Sequence, residues 1–134
     1  MRIVLDSSVL IAAAITRAGV CAELMDDVLT SHDLILSPFI LDEVERKLRS
    51  KFRFADADVR RLLRFLKRAA TLVEPAPVPP DVCRDPNDRP VLGTAVAGSA
   101  SLLITGDKDL LALRSYEGTT IIRPADFWHQ WTAR

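Results

Sequence analysis

The chain has few of the residues that build disulfides, zinc sites or thiol nucleophiles. Its 134 residues include two cysteines, Cys21 and Cys83, and two histidines, His32 and His129, none of them at metal-site spacing. Isolated cysteines are typical of reduced thiols inside the cell, so we expect a cytoplasmic protein without disulfides. Zinc chemistry and cysteine nucleophiles are therefore not indicated.

The chain also lacks an excess of positive or negative charge, and it has no long apolar run. Lys and Arg total 18 and Asp and Glu total 18, so the formal net charge of +0 argues neither for nor against a nucleic-acid partner. The apolar run at residues 9–15 is too short to span a bilayer and has no basic leader or cleavage site, so we expect neither a signal peptide nor membrane association. Aromatic residues are only 6% and do not interleave with the basic run, so base stacking is not predicted.

What the chain does contain is apolar residues in short, regularly spaced segments. Hydrophobic residues make up 49% of the sequence, which is enough for the core of a single domain spanning residues 1–134. Apolar segments of strand length alternate with segments of helical period, which predicts βαβ units, an α/β fold and a parallel sheet. The predicted strands lie at residues 3–5, 33–37, 71–73, 101–105 and 119–122.

Helix starts are marked by polar residues and prolines. Ser37 and Pro38 have the pattern of an N-cap followed by proline at the first helical position. Pro90 fits only the first turn of another helix. The remaining candidate N-caps are Ser7 or Ser8, Asp56 or Asp58, and Asn87 or Asp88.

Carboxylates stand where predicted strands end or the following helices begin. Asp6 comes directly after the first strand, and Asp107 and Asp109 follow the fourth. Right-handed crossovers bring the carboxyl ends of parallel strands, and the N-termini of the helices after them, to one edge of the sheet. We therefore expect Glu43 and Asp88 at the same edge as Asp6 and Asp107.

Each acid also has a purely structural interpretation. Asp88, Asp107 and Asp109 fit capping or turn positions, and Glu43 fits the acidic first turns of a helix. Asp6 is harder to explain in this way, because a carboxylate directly after a buried strand needs a partner or a metal to offset its desolvation. Clustered acids also repel one another unless a cation neutralises them. All-oxygen ligation favours Mg²⁺ or Mn²⁺, and a carboxylate-held metal fits phosphoryl chemistry.

Four segments together resemble one known family. They are VLDSSVL at 4–10, SPFILDE at 37–43, RDPND at 84–88 and LITGDKDLL at 103–111. Their order and spacing resemble the PIN domain family, and more narrowly its toxin branch, the VapC-like ribonucleases of type II toxin–antitoxin systems. The resemblance covers essentially the whole chain.

The resemblance implies a three-layer α/β/α sandwich with a five-stranded parallel sheet of strand order 3-2-1-4-5. It implies a metal-dependent endoribonuclease, in which water activated by carboxylate-held Mg²⁺ or Mn²⁺ hydrolyses RNA phosphodiesters. The implied partners are an RNA substrate, an antitoxin protein and a second copy of the chain in a homodimer.

The resemblance also assigns candidate site residues. The four acidic positions of the family match Asp6, Glu43, Asp88 and Asp107, which become the candidate catalytic and metal-binding residues, with Glu43 acting directly or through water. Asp85 and Asp109 are additional carboxylates that fit either water-mediated metal contact or turn positions. The candidate supporting residues are Ser8, which matches a family position for Asn, Ser or Thr, and Thr105.

Basic residues are concentrated on the third and fourth predicted helices. One interpretation is a solvated helix face. The other is that part of this set guides RNA phosphates toward the metal site. The candidate RNA-binding residues are Arg46, Lys47, Arg49 and Lys51.

Three rival functions remain open. One is another Asp-based phosphoryl-transfer enzyme, but a haloacid-dehalogenase-like phosphatase needs a second aspartate where Ser8 stands. A phosphorylated receiver domain needs an acidic pair at the end of the first strand, which this chain does not have. The third is a non-catalytic PIN-fold module that binds RNA or protein, against which the intact acid set argues.

Overall fold

The computed structural model describes residues 1–16 and 18–130, with side chains up to Trp128, so the His129 ring lies outside the described part. The elements in these residues alternate between strand and helix through most of the chain. In order they are β1 (Arg2–Leu5), α1 (Ser7–Ile15), α2 (Val20–Ser31), β2 (Asp33–Leu36), α3 (Pro38–Ser50), α4 (Asp56–Ala69), β3 (Thr71–Leu72), α5 (Arg89–Ala97), β4 (Leu102–Ile104), α6 (Lys108–Leu113), β5 (Ser115–Tyr116), β6 (Thr119–Ile122) and α7 (Pro124–Gln130).

The strands form one sheet in the order β3-β2-β1-β4-β6-β5. The first five strands of this order are parallel, so the predicted parallel sheet with the order 3-2-1-4-5 is confirmed. The strand at the edge of the sheet, β5, was not predicted and pairs antiparallel with β6. It is only two residues long and is joined to β6 by Glu117 and Gly118, whose φ angles of 49° and 85° suit a tight hairpin turn.

The middle of the sheet forms the core between two layers of helices. Ile3, Val4 and Leu5 of β1 are fully buried, as are Leu102, Leu103 and Ile104 of the neighbouring β4. Strands buried on both faces read as continuous apolar runs, which explains why these segments stand out in the sequence. Helix α5 packs on β1, β2 and β4, and α1 packs on α2 and α3, giving the α/β/α sandwich.

The end of β1 is fixed against β4 by the backbone. Leu5 is paired with Ile104, and the Asp6 N–H continues the ladder by donating to the Ile104 carbonyl at 3.0 Å. The residues that follow these two strands therefore leave the sheet side by side. This arrangement places Asp6 next to Thr105 and close to Asp107.

Three helix starts differ in their capping. Ser37 caps α3 as predicted, with its Oγ accepting from the Ile40 N–H at 3.4 Å. The prediction of a serine cap for α1 is wrong: the cap is Asp6, whose carboxylate accepts from the Ser7 N–H. The cap of α4 is Ala55, and Asp56 lies in the first turn, where it complements the helix dipole.

Helices α1 and α2 are the most apolar pair next to the N-terminus. Val9, Leu10 and Ile11 of α1 are buried in the core. In the part of the chain that the structure describes, no single helix is both long and apolar enough to cross a membrane. Helices α1 and α2 meet that test only when counted together across the sharp bend between them.

The Pro-rich segment after β3 forms no helix or strand over residues 73–79 and lies against α5. Its Ala76 N–H donates to the Gly93 carbonyl at 3.0 Å. The approach is so close that a Cβ at Gly93 would lie 2.2 Å from the Ala76 carbonyl oxygen. Gly93 therefore lets this connector seat on the helix that carries Asp88 at its start.

We predict that Gly93→Ala destabilises the protein by about 2 kcal/mol or more. Alanine gains about 1 kcal/mol of helix propensity, but overpacking against a backbone atom that has no rotamer to escape costs about 3 kcal/mol or more, the upper end of the usual penalty. The shift in the urea midpoint measures this loss. Ala97→Ser, at an exposed position of the same helix, should leave the free energy of unfolding within about 0.5 kcal/mol of the wild-type value. Equal stability of both variants would contradict the close contact.

Candidate metal centre

A cleft of ≈ 370 Å³ opens at the carboxyl ends of β1 and β4. All four acids matched by the family resemblance line it, and so does the extra carboxylate Asp85. The other lining residues are basic or uncharged polar, apart from Val91 and Gly106. The full lining is Asp6, Ser8, Glu43, Arg46, Lys47, Asp85, Asn87, Asp88, Val91, Gly106 and Asp107.

Asp6 is the most constrained acid of the cleft. Its side chain is 7% exposed, and both carboxylate oxygens accept hydrogen bonds at 2.7 Å, one from the Ser7 N–H and one from the Thr105 hydroxyl. Burial raises the pKa of Asp6, and the hydrogen bonds from Thr105 and Ser7 oppose that rise. Thr105, predicted as a supporting residue, thus contacts Asp6 directly and holds its orientation.

Asp88 carries the largest electrostatic penalty. Burial, followed by repulsion from Asp107, Asp85 and Asp6, raises the pKa of Asp88 to about 7. The residue stands at the N-cap of α5, but its side chain makes no capping hydrogen bond. The carboxylate therefore faces the cleft, with one oxygen 3.8 Å from the Cys83 thiol that donates to it.

Asp107 and Asp109 complete a cluster with Asp88. One carboxylate oxygen from each of the three lies within 4.8 Å of the other two. Asp107 also caps α6, because its Oδ1 accepts from the Asp109 and Leu110 N–H groups. The cap fixes Asp107 in orientation through one oxygen. Asp109, a secondary candidate from the sequence, thus lies close to Asp88 and Asp107.

Asp85 shapes the turn before α5. Its Oδ1 accepts from the Asn87 N–H at 2.9 Å, which is the turn role that the sequence left open. It also lines the cleft and raises the pKa of Asp88. The residue therefore acts on the site electrostatically while its hydrogen bond holds the loop.

Glu43 is held by two partners that come from different elements. Its Oε1 accepts from the Ser7 hydroxyl at 2.5 Å and from the Lys47 ammonium at 3.3 Å. Lys47 also donates to the Ser7 Oγ at 3.1 Å, which closes a three-membered network. Arg46 lies 3.9 Å from the other carboxylate oxygen. Glu43 is the acid whose charge the protein itself balances.

A serine other than the predicted Ser8 contacts the acids of the site. Ser7 is 1% exposed and bridges two acids, through its N–H to Asp6 and through its hydroxyl to Glu43. Ser8, the predicted supporting residue, lines the cleft but is exposed. The spacing of Glu43 and Lys47, four residues apart on one helix, was the sequence signal for their pairing.

Only part of the predicted RNA-binding set reaches the cleft. Arg46 and Lys47 line it. Arg49 instead pairs with Glu45 and with Asp56 of α4, and it does not line the cleft. Lys51 lies with its ammonium 5.6 Å from the centre of the Phe52 ring.

The sequence also matches a family model, the PIN domain, over residues 2–109. The chain belongs to the PIN domain family. Uncharacterized protein MJ1680 of Methanocaldococcus jannaschii is a relative, 31% identical over 119 residues, with 85% of this chain and 76% of that protein covered. All four candidate acids lie inside the segment that the PIN domain model matches.

Two solved structures share the PIN fold. VapBC2 from Rickettsia felis, solved bound to a DNA fragment from its promoter, has a TM-score of 0.64 at 14% identity and covers 92% of this chain and 98% of its own. PAE2754 from Pyrobaculum aerophilum has a TM-score of 0.67 at 20% identity and covers 100% of this chain and 91% of its own. At these identities the likeness establishes the fold.

The donors of this PIN domain fit a hard divalent cation. Asp88, Asp107 and Asp109 offer three closely spaced carboxylate oxygens, and burial together with the charges of neighbouring acids raises the pKa of Asp88. Burial, and then the Asp88 charge, raise the pKa of the nearby Cys83 thiol, which disfavours the thiolate that zinc would bind. Oxygen donors alone suit Mg²⁺ or Mn²⁺.

We predict that Asp88→Asn raises the melting temperature of the metal-free protein at pH 8 by roughly 4 °C, which corresponds to about 1 kcal/mol. Folding raises the pKa of Asp88 from 3.8 to about 7, so the folded state binds the extra proton between these values. Wild-type stability is therefore highest at the acidic end of this window and is lost as the pH rises through 7. The asparagine variant should lose less.

Thermal unfolding in a chelator at pH 5 and pH 8 measures this difference. Asp26→Asn, at an exposed position of α2, is the matched control and should keep the wild-type pH profile. A variant at Asp88 that is no more stable than wild type at pH 8 would speak against an uncompensated charge in the cleft.

Proposed function

We propose that this PIN domain is a cytoplasmic, Mg²⁺- or Mn²⁺-dependent endoribonuclease that hydrolyses RNA phosphodiesters, and that it is the toxin of a type II toxin–antitoxin pair. The observation that carries the proposal is the acid cluster at the carboxyl ends of β1 and β4. Three of the four matched acids, Asp6, Asp88 and Asp107, repel one another there, as the raised pKa of Asp88 reflects.

The roles of the acids follow from their contacts. Asp88 and Asp107 would hold the cation directly, with Asp109 within reach of the same position. Asp6 faces the same cleft with both oxygens already oriented by Thr105 and Ser7. When bound, Mg²⁺ or Mn²⁺ supplies activation of water and stabilisation of charge on the phosphate.

Glu43 and the basic residues have complementary roles. Ser7 and Lys47 hold one oxygen of Glu43, and this fixes the orientation of the carboxylate. Its other oxygen would then contact the ion directly or through water. Lys47 and Arg46 bring positive charge to the rim of an otherwise acidic cleft. They are the groups best placed to bind the phosphates of the substrate.

The proposed partners extend the same reasoning. The Rickettsia felis neighbour is a VapBC2 assembly bound to DNA from its own promoter, which supports an antitoxin protein as a partner for this chain. A homodimer is proposed on the family resemblance. Light scattering of the purified chain, alone and with the product of a neighbouring gene, tests both proposals.

We predict that Asp6→Asn lowers metal-dependent RNA cleavage by roughly 100-fold or more while the protein stays folded. Asparagine keeps the size of the side chain and one acceptor oxygen, so it can still accept from the Ser7 N–H or from the Thr105 hydroxyl, and it removes a negative charge from the site. Cleavage of total RNA with and without Mg²⁺ is the measurement, and mapping of the ends identifies the target sequence. Asp26→Asn should cleave like wild type, since it is remote from the cleft.

Binding of Mn²⁺ provides an independent measure of the same site. The melting temperature of the wild type should rise with added Mn²⁺, and that of Asp6→Asn should rise less. A wild type that neither responds to Mn²⁺ nor cleaves RNA would refute the nuclease and favour the non-catalytic binding module.

We predict that Ser7→Ala weakens Mn²⁺ affinity by roughly 10-fold to 100-fold, because Glu43 loses its closest anchor. Ser8→Ala is the matched control, and its effect should be much smaller, because Ser8 is exposed. Isothermal titration calorimetry measures both affinities. Ser7→Thr keeps a hydroxyl and should restore most of the affinity. The reverse ranking of the two alanine variants would return the supporting role to Ser8.

A further inference from the structure

A second cavity lies beside the acidic cleft and differs from it in character. It has a volume of ≈ 210 Å³ and runs between α1 and the end of α3. Ile11, Ala12 and Ile15 of α1 form its apolar side, and Phe52 faces them from the segment after α3. Among the described residues that line it, none is acidic, in contrast to the cleft.

We infer that this cavity is a subsite for one nucleobase of a single-stranded RNA, adjacent to the nucleotide whose phosphate lies at the acids. The inference deepens the proposed function, since it rests on RNA being the ligand of the cleft. It assigns a role to Phe52, which is not among the candidate site residues of the sequence, and gives Lys51 a defined place beside it.

The first argument is continuity between the two cavities. Ser8 and Lys47 line both of them. Lys47 is fixed at this boundary by its bonds to Ser7 and Glu43. A strand with a phosphate at Lys47 therefore has its next base within reach of the apolar cavity.

The second argument is the chemistry of the lining. Phe52 remains 39% exposed and Ile15 44% exposed, whereas most large apolar side chains of the fold are in the core. An exposed ring beside an apolar wall offers a stacking surface to a base. Lys51 and Lys47 supply the positive charge that complements the phosphates on either side of that base.

The third argument is shape. A planar base can enter the space of ≈ 210 Å³ between the apolar side of α1 and the Phe52 ring, whereas the backbone of a partner helix would lie outside it. Composition alone argued against base stacking, but folding brings the single ring of Phe52 to the place where it is needed.

The test measures binding of a fluorescently labelled single-stranded RNA to protein that carries Asp6→Asn, which prevents cleavage during the measurement. Adding Phe52→Ala should weaken the affinity about 10-fold. Phe52→Trp should keep it. Phe65→Ala is the matched control, because Phe65 is 48% exposed on α4 and does not line the cavity, and it should leave the affinity unchanged.

Abasic substitutions in the RNA identify the base itself. Removing the base at one position should weaken binding to the Asp6→Asn parent, and the same substitution should have no further effect once Phe52→Ala is present. Circular dichroism establishes that each variant is folded. Non-additivity at one nucleotide position supports the subsite, and additive losses at every position overturn it.

The outcomes separate this inference from the proposed function. Normal cleavage by a Phe52→Ala single variant, together with unchanged RNA affinity, overturns the subsite and leaves the nuclease standing. If the wild type does not cleave RNA but Phe52→Ala and the abasic substitution are still non-additive at one position, the nuclease is refuted and the RNA subsite is retained. Unchanged RNA affinity accompanied by loss of a dimer or of antitoxin binding assigns the cavity to a protein interface and overturns the inference.

Discussion

The repulsion among buried carboxylates is the constraint on which the site depends. Pairing of Leu5 with Ile104 places the ends of two parallel strands side by side, and each strand end is followed by an acid. The start of α5 adds Asp88, which is 6% exposed and whose pKa rises to about 7. Groups in such an arrangement stay ionised only with a counter-charge or with hydrogen bonds to the charged form. The fold supplies the hydrogen bonds and leaves the counter-charge to a bound cation.

Both backbone N–H groups and side-chain hydroxyls donate hydrogen bonds to the acids. Asp6 and Asp107 are both helix caps, so each has one oxygen committed to backbone N–H groups. Each is thereby oriented by the helix that follows its strand. Asp88 stands at a cap position without making the capping bond, which leaves its carboxylate to the cleft. Asp6 and Asp107 therefore serve as helix caps and also face the cleft. Capping does not explain Asp88, because its side chain makes no capping hydrogen bond.

The parts of this molecule that follow local rules could be predicted from sequence. Buried apolar runs located the parallel strands, and Ser37 with Pro38 located α3. Ser7 was missed as a contact of the acids because the sequence offered Ser7 or Ser8 as the cap of α1, whereas the cap is Asp6. The pairing of Arg49 with Asp56 depends on how α3 meets α4, a long-range contact that no local pattern reveals. Strand β5 was too short to produce a pattern of its own.

Lys47 explains why the four acids are not equivalent. Its ammonium lies 3.3 Å from Glu43 and bonds the same serine that Glu43 uses, whereas it is the weakest of the influences on the pKa of Asp6. The lysine thus balances one acid, and within residues 1–16 and 18–130 no Lys or Arg forms an ion pair with Asp6, Asp88 or Asp107. An added cation gains most where that compensation is missing, at Asp88 and Asp107. Glu43, already paired, acts as the oriented rim of the site, and Lys47 remains at the boundary where the acidic cleft gives way to a basic and apolar surface.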